Sequence, residues 1–290
     1  MNLFILSTGR AASTSLYFFL DKLFHLNLPS IKEPHFLIDT DFYDNKPKIL
    51  SDLKVRSLED YQKLYKNSKI IVDASVGYFF NIDEFLENLK KYNLNENSKI
   101  IYIFREPADR SKSLFIKQYL TGFEKGTNFK KAFNRKCNDK KYWWSYNYDN
   151  VNYNDNFIKL KNNFNEILLI NYNFFNSIIK NNNKIFSDFL SLSVQNEAIP
   201  EKKKINSSDI NNFFNKENFL NFLKKKGKFS KLLFLFKYYF KSIKVIILKI
   251  RIKNFSDDDY FENSKKQYKS FMNNIEKFKI YEGVYKINNK

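Results

Sequence analysis

The sequence predicts an α/β fold, in which a central parallel sheet is flanked by helices and followed by a helical C-terminal extension. Three observations predict it. Short apolar runs of strand length recur along the first 200 residues, and helical patterns lie between them. The runs are apolar on both faces, as buried parallel strands are. The chain has 290 residues, 43% of them hydrophobic, which is enough for a large buried core.

The predicted elements alternate, as a sheet with right-handed crossover connections requires. The strands are Leu3–Leu6, Lys69–Ser75, Lys99–Glu106 and Glu166–Tyr172, and the helices are Thr14–Leu26, Ile82–Tyr92, Ala108–Thr121, Asn156–Phe164 and Asn173–Leu192. Ligands of such sheets bind at the carboxyl ends of the strands. The polar residues that follow each strand are therefore the candidates for function.

The domain organisation predicted is a core of residues 1–200 and a basic, mostly helical part, 201–290, packed on the same domain. Within the core, residues 122–150 are rich in Lys, Asn, Tyr and Trp and have little periodicity, which favours a lid or an acceptor-binding excursion. The single cysteine, Cys137, excludes an internal disulfide. With only His25 and His35 available, we expect no metal site.

The formal net charge of +19 favours an anionic partner, although a lysine-rich composition alone also produces such a charge. Residues 229–252 form an apolar stretch with a basic helical stripe, and it carries too many charges to span a membrane. This helix either covers the core or lies on an anionic membrane surface. We expect a cytoplasmic protein, with 229–252 as the candidate contact with the inner membrane face.

The loop after the first strand has the features of an anion site. Its small residues let the backbone approach an anion at a helix N-terminus, three hydroxyls add donors, and Arg10 adds a planar charged fork. The loop residues are Arg10, Ala11, Ala12, Ser13, Thr14 and Ser15. The Lys-Ser/Thr ending that binds magnesium-nucleotide is missing. The alternative is an ordinary strand–helix corner capped by Ser13.

A second anion motif follows the third strand, in the segment YIFREPADRSKSLF (residues 102–115). Arg105 lies at the end of the strand, and Pro107 suits the first turn of a helix. Ser113 comes eight residues after Arg105, about two helical turns along. A helix that begins near Pro107 can therefore bring Arg105 and Ser113 toward one phosphate.

Together the two motifs resemble those of the P-loop-type sulfotransferases that use 3′-phosphoadenosine 5′-phosphosulfate (PAPS), and in style they are closest to the glycan and bacterial members. The resemblance covers about residues 3–193. It implies that the segment Gly9–Thr14 binds the 5′-phosphosulfate and that Arg105 and Ser113 bind the 3′-phosphate. Arg10 would stabilise the bridging oxygen and the departing 5′-phosphate.

Two further segments resemble the same family. IKEPHFLID (residues 31–39) is similar to a segment whose glutamate, here Glu33, is the general base. His35 is the rival base, since an imidazole titrates near neutral pH, and we expect only one of the two side chains to face the site. VDASVGYFF (residues 72–80) is similar to another family segment, although Ala74 replaces its frequent lysine. Gly9 and Ala12 likewise replace the usual proline and glycine of the loop.

The resemblance implies transfer of a sulfuryl group from PAPS, the donor, to a hydroxyl or amine of a carbohydrate or glycolipid, without a required metal. Two alternatives stay open. One is a magnesium-dependent P-loop nucleotide kinase on the same architecture. The other is a non-catalytic basic module that binds membrane or nucleic acid; since no nucleic-acid motif is present, we expect no nucleic-acid partner.

Overall fold

The computed structural model describes residues 1–38, 55–121, 124, 126, 128–133, 153–181, 183–194 and 258–289. It confirms the predicted fold class: a mostly parallel sheet is flanked by helices. The strands are β1 (Asn2–Ser7), β2 (Ile71–Asp73), β3 (Ser98–Phe104), β4 (Glu166–Asn171), β5 (Lys279–Tyr281) and β6 (Val284–Asn288). Their order in the sheet is β2-β1-β3-β4-β6-β5.

The described helices flank both faces of the sheet. They are α1 (Ser13–Phe24), α2 (Leu58–Leu64), α3 (Gly77–Phe80), α4 (Ile82–Lys91), α5 (Pro107–Thr121), α6 (Phe129–Phe133), α7 (Tyr153–Asn163), α8 (Phe175–Asn181), α9 (Asn183–Leu190) and α10 (Asp258–Glu276). The helix expected over Asn173–Leu192 is a 3₁₀ turn (Tyr172–Phe174) followed by α8 and α9. The sequence there is a run of asparagines, which are poor helix formers.

The order of the first strands fixes where a ligand can bind. β1 pairs in parallel with β2 on one side and with β3 on the other. The chain thus moves outward from β1 to β2 and then returns past β1 to β3. Where the chain reverses its direction across a sheet in this way, the connections after the two neighbouring strands lead to opposite faces. A crevice then opens between the carboxyl ends of those two strands. Here those strands are β1 and β3, which carry the two predicted anion motifs.

Alternation along the strands divides the core into two layers. Leu3 and Ile5 of β1 pack with the apolar side of α1 and with α8 and α9. Phe4 and Leu6 face the other way and pack with α4, α7 and α10. The strand residues of both layers are almost completely buried. The sheet is therefore covered on both faces, as the two-sided apolar runs of the sequence predict.

The C-terminal hairpin departs from the sequence prediction, which expected residues 201–290 to be mostly helical. α10 is helical, but β5 and β6 are strands, and β6 pairs antiparallel with β4. The physical reason is the segment KIYEGVYKIN (residues 279–288), where aromatic and β-branched residues flank a turn at Gly283. Gly283 has φ +75°, and a Cβ there would lie 2.4 Å from the Phe174 ring, so only glycine fits.

Other predicted features fall largely outside the described residues. In the predicted excursion 122–150, α6 packs its Phe129 against Phe115 of α5. The division at residue 200 and the basic helix within 229–252 belong to residues that the structure does not describe. None of the described helices combines the length and apolar character needed to cross a membrane.

Candidate functional site

The loop after β1 bends through left-handed backbone conformations. Gly9, Arg10 and Ala12 have φ values of 72°, 54° and 67°. A Cβ on Gly9 would lie 3.3 Å from Val76 Cγ1, so the loop passes close to the segment after β2. The N-cap of α1 is Ala12, which has no side chain that can accept a hydrogen bond. Ser13 is the first helical residue, so it is not the cap that the ordinary-corner interpretation requires. The N–H groups that begin α1 are therefore not capped by a side chain.

Ala12 stands where its left-handed backbone favours glycine. An L side chain in this region costs about 1 kcal/mol relative to glycine. We therefore expect Ala12→Gly to raise the free energy of unfolding by about 0.5–1 kcal/mol, measured by urea denaturation. Ala11→Gly is the matched control, because Ala11 is buried and has no left-handed backbone. The control variant should have a lower free energy of unfolding than wild type. If Ala12→Gly lowers the free energy of unfolding as well, the left-handed backbone of Ala12 is not strained.

The two predicted anion motifs meet at the carboxyl edge of the sheet. Arg10 Nε donates a hydrogen bond to Ser113 Oγ at 3.2 Å, although the residues are 103 positions apart. Arg105 Nη1 donates to the carbonyl oxygen of Arg10 at 2.9 Å. The structure thus brings Arg10 together with Arg105 and Ser113 at the ends of the adjacent strands β1 and β3.

Two tyrosines that the sequence analysis did not select support Arg105. The guanidinium carbon lies 4.2 Å from the centre of the Tyr172 ring, a cation–π contact. Tyr153 donates its hydroxyl to the carbonyl of Arg105 at 3.2 Å. Arg105 Nε is buried and has no hydrogen-bond partner among the described residues. Tyr172 directly follows β4, where polar residues are candidates for function, so its position in the sequence is a signal. Tyr153 lies on a helix, and its position carries no such signal.

Three cations, Arg10, Arg105 and Lys117, lie in or beside this cluster. Burial and the charge of Arg105 lower the pKa of Arg10. Burial and the charge of Arg10 lower the pKa of Lys117, which lies one turn after Ser113 on α5. Within the described part of the chain, no carboxylate lies within ion-pair distance of Arg10 or Arg105. The arrangement favours an anion with more than one negative charge.

Arg110 of α5 lies beneath the same loop. Its side chain is fully buried, and its Nε donates to the carbonyl of Thr8 at 2.6 Å. The guanidinium carbon also lies 5.7 Å from the centre of the Phe80 ring. Arg110 therefore fixes the start of the loop. The sequence gives no sign of this role, since Arg110 is one of several charged residues at the start of α5.

The candidate base Glu33 lies between two nitrogen groups. Lys32 Nζ is 2.5 Å from Glu33 Oε1, and His35 Nε2 is 3.2 Å from Glu33 Oε2. The expectation that only one of Glu33 and His35 faces the site is wrong, because side chains two residues apart lie on the same side of an extended segment. The two side chains are instead hydrogen-bonded to each other. The Glu33 side chain is 31% exposed and that of His35 is 7% exposed.

The lysine and histidine control the charge of Glu33. Burial raises its pKa, but the charge of Lys32 and the hydrogen bond with His35 outweigh burial, so the pKa lies below its usual value. The carboxyl is then ionised at neutral pH and can only accept hydrogen bonds. His35 Nε2 must therefore carry a hydrogen toward Glu33.

Asp73 at the end of β2 anchors the segment that carries Glu33. Its buried carboxyl accepts from Ser75 N and Ser75 Oγ at 3.0 and 2.6 Å and from the hydroxyls of Tyr78 and Tyr61 at 2.7 and 3.2 Å. His35 N in turn donates to Ser75 Oγ at 3.0 Å. Burial raises the pKa of Asp73, and these hydrogen bonds act in the opposite direction. Asp73 thus caps the end of β2 and, through Ser75, also positions the Glu33 segment.

The described residues contain no group of three or more His, Cys, Asp or Glu side chains that could hold a metal ion. The described site offers cations, hydroxyls, backbone N–H groups and the carboxylate of Glu33.

Comparisons with known proteins add a structural relative. No family model and no curated protein matches the sequence. The chain is similar to the crystal structure of a sulfotransferase from Alicyclobacillus acidocaldarius, with a TM-score of 0.54 and 18% sequence identity. The similarity covers 70% of this chain and 86% of that chain. At this level of identity the comparison establishes a shared fold.

Proposed function

We propose that this chain is a sulfotransferase that moves a sulfuryl group from PAPS to a hydroxyl or amine of a carbohydrate or glycolipid acceptor. The observation that carries the proposal is the meeting of the two anion motifs, where Arg10 contacts Ser113 and Arg105 contacts the Arg10 carbonyl. A nucleotide with a phosphate at each end of its ribose fits two motifs at adjacent strand ends. The shared fold with a sulfotransferase supports the same activity.

The donor would be held by its two anionic ends. The N–H groups at the start of α1 and the hydroxyls of Ser13, Thr14 and Ser15 would bind the 5′-phosphosulfate, where the helix dipole favours negative charge. Arg105 and Ser113 would bind the 3′-phosphate, with Arg105 held by its contact with Tyr172. Both subsites are fixed by the sheet, so the sulfur would be positioned before the acceptor binds.

The transfer would be an in-line displacement. The acceptor oxygen or nitrogen forms a bond to sulfur while the bond from sulfur to the 5′-phosphate oxygen breaks, and adenosine 3′,5′-bisphosphate leaves. Charge builds on the departing phosphate, where the loop donors stabilise it. A sulfuryl group carries less charge than a phosphoryl group, which makes the reaction less dependent on a metal ion.

Glu33 would accept the proton that the acceptor loses. It is ionised at neutral pH and is the more exposed member of the pair with His35. Its lowered pKa weakens it as a base, and its fixed position between Lys32 and His35 would offset this by holding the carboxylate ready for the proton. His35 would orient the carboxylate through Nε2. The carbohydrate class of acceptor rests on the similarity of residues 31–39 to a segment of glycan sulfotransferases.

Glu33→Gln tests this assignment. We expect the variant to lose at least about 100-fold in the rate of sulfate transfer from labelled PAPS, as general-base loss typically does. Its affinity for adenosine 3′,5′-bisphosphate should change less than about threefold, because Glu33 is not a donor ligand. Calorimetry measures the affinity, and a glycan and glycolipid extract supplies the acceptors. His35→Ala is the companion variant and should retain more transfer activity than Glu33→Gln.

Three outcomes would contradict parts of the proposal. Tight binding of ATP with magnesium, and none of the bisphosphate, would make the chain a nucleotide kinase instead. Full transfer activity in Glu33→Gln with loss in His35→Ala would make His35 the base. Sulfate transfer to none of the carbohydrate or lipid fractions, with transfer to a small metabolite, would overturn the acceptor class.

A further inference from the structure

We infer that Lys32 is a positioning residue of the transfer reaction: its ammonium holds one oxygen of the Glu33 carboxylate while His35 holds the other, and the orientation that results speeds the transfer. The inference rests on the proposed function, in which Glu33 accepts the proton of the acceptor, and deepens it. Lys32 is not among the site residues that the sequence predicts.

The ammonium of Lys32 has two protein acceptors and little contact with water. Its Nζ lies 2.5 Å from Glu33 Oε1 and donates to the carbonyl oxygen of Ala74 at 3.1 Å. The side chain is only 11% exposed. A charged group that is largely removed from water needs such partners. Since two of its three donors are engaged within the protein, Lys32 acts on the reaction through Glu33 and not as a ligand of the donor.

The backbone on both sides of Glu33 is fixed to the segment that follows β2. Ala74 N donates to the carbonyl oxygen of Lys32 at 3.2 Å, so a backbone contact and a side-chain contact join these two residues. On the other side of Glu33, His35 N donates to Ser75 Oγ at 3.0 Å. The backbone of Glu33 therefore lies between two anchors, and Lys32 and His35 restrict its side chain as well.

The segment after β2 also contacts the loop after β1. A Cβ on Gly9 would lie 3.3 Å from Cγ1 of Val76, two residues after Ala74. β2 is the parallel neighbour of β1, so the segment and the loop leave the sheet at the same edge. Lys32 therefore fixes Glu33 to the structural unit that contacts the loop proposed to bind the phosphosulfate. A misplacement of about 1 Å at such a site can slow a reaction about 100-fold.

Lys32 has two opposing effects on Glu33. Its charge lowers the pKa of the carboxyl, which weakens Glu33 as a base. Its contact with Oε1 holds the carboxylate in one orientation, which favours proton transfer. If basicity were decisive, removal of the ammonium would speed the transfer, whereas a decisive orientation means that removal slows it. The anchors on both sides of Glu33 favour orientation, because they fix the carboxylate at the cost of its basicity.

The test is a double-mutant cycle between Lys32 and Glu33. It measures the rate of sulfate transfer from saturating labelled PAPS to a fixed amount of the glycan and glycolipid extract. Lys32→Met removes the ammonium and nearly keeps the length of the side chain. We expect a rate about tenfold or more below wild type and an affinity for adenosine 3′,5′-bisphosphate, measured by calorimetry, within about threefold of wild type. When Glu33→Gln is already present, Lys32→Met should lower the rate less than about threefold, because the carboxylate on which Lys32 acts is gone.

Lys99 offers a matched control at the opposite edge of the sheet. Near the start of β3, its Nζ lies 3.0 Å from Glu166 Oε1 and donates to the Phe189 carbonyl at 2.6 Å, and its side chain is 16% exposed. Lys99→Met thus removes a similar pair of contacts away from the site. Its melting temperature should fall about as much as that of Lys32→Met, while its transfer rate stays that of wild type.

Two further variants complete the set. Lys32→Arg keeps the charge and should retain more transfer activity than Lys32→Met. If Lys32→Met unfolds at the assay temperature, Lys32→Gln takes its place in the cycle, because its amide can still donate to the Ala74 carbonyl.

The outcomes separate this inference from the proposed function. A rate of Lys32→Met equal to or above that of wild type overturns the inference, and so does a loss in the double variant that equals the product of the two single losses. A loss of tenfold or more in bisphosphate affinity would make Lys32 a ligand of the donor and would overturn it too. All three leave the sulfotransferase proposal standing. Wild type that neither binds the bisphosphate nor transfers sulfate from PAPS overturns the proposed function itself.

Discussion

Replacement of Arg105 by alanine is expected to weaken the binding of adenosine 3′,5′-bisphosphate about 100-fold or more, which corresponds to about 3 kcal/mol. Three contacts disappear with the side chain: the proposed bond to the 3′-phosphate, the cation–π contact with Tyr172, and the hydrogen bond to the Arg10 carbonyl. The last contact also holds the 5′-phosphosulfate loop, so both ends of the nucleotide lose support. Isothermal titration calorimetry measures the change.

Two variants make this result specific. Arg105→Lys retains the charge but loses the planar fork and its stacking on Tyr172, so it should bind about tenfold more weakly than wild type. Lys90→Ala removes an exposed lysine at the end of α4, close to the amino edge of the sheet, and should bind as wild type does. An affinity of Arg105→Ala within threefold of wild type would refute the assignment of Arg105 to the nucleotide.

Asp73→Ala should produce the largest loss of stability, about 4 kcal/mol or more. The substitution leaves the buried hydroxyls of Tyr61 and Tyr78 and the N–H of Ser75 without their acceptor. It also releases the Ser75 hydroxyl that holds His35 N. Thermal unfolding measures the loss, and a decrease in melting temperature of about 10 °C corresponds to it for a chain of this size.

Asp73→Asn is the matched variant, because it keeps the shape and one acceptor oxygen. Tyrosine hydroxyls can rotate to donate to that oxygen or to accept from the amide, so we expect about half the loss of Asp73→Ala. Tyr78→Phe removes the shorter of the two tyrosine contacts and should cost about 1 kcal/mol. A melting temperature of Asp73→Ala within 2 °C of wild type would contradict the role of Asp73 as an anchor.

The sheet and its main helices could be predicted because their signals are local. β1, β3 and β4 are continuous apolar runs bounded by polar residues, and α1, α4 and α5 follow helical apolar spacing. The hairpin β5–β6 was missed because the strands are short and the residues before them are helical. What holds β6 in the sheet is its pairing with β4, a contact that no local pattern records.

Only those residues of the candidate site that belong to a sequence motif could be predicted. Arg10, Arg105 and Ser113 belong to recognisable spacings, and the topology explains why they meet. Tyr153 and Arg110 act through their burial, which depends on packing between distant segments. The relation of Glu33 to His35 was predicted wrongly because residues two apart on an extended segment share a side, where their side chains can bond to each other.

The place of β6 in the sheet also has a consequence during synthesis of the chain. Until residues 284–288 leave the ribosome, β4 presents its apolar edge, with main-chain groups that have no partner strand. The pairing spans roughly 120 positions, so at ordinary translation rates this edge waits roughly ten seconds for its neighbour. Such an edge readily pairs with the same edge of another nascent chain. A chain truncated before Val284 should therefore accumulate as aggregates rather than as a smaller soluble domain.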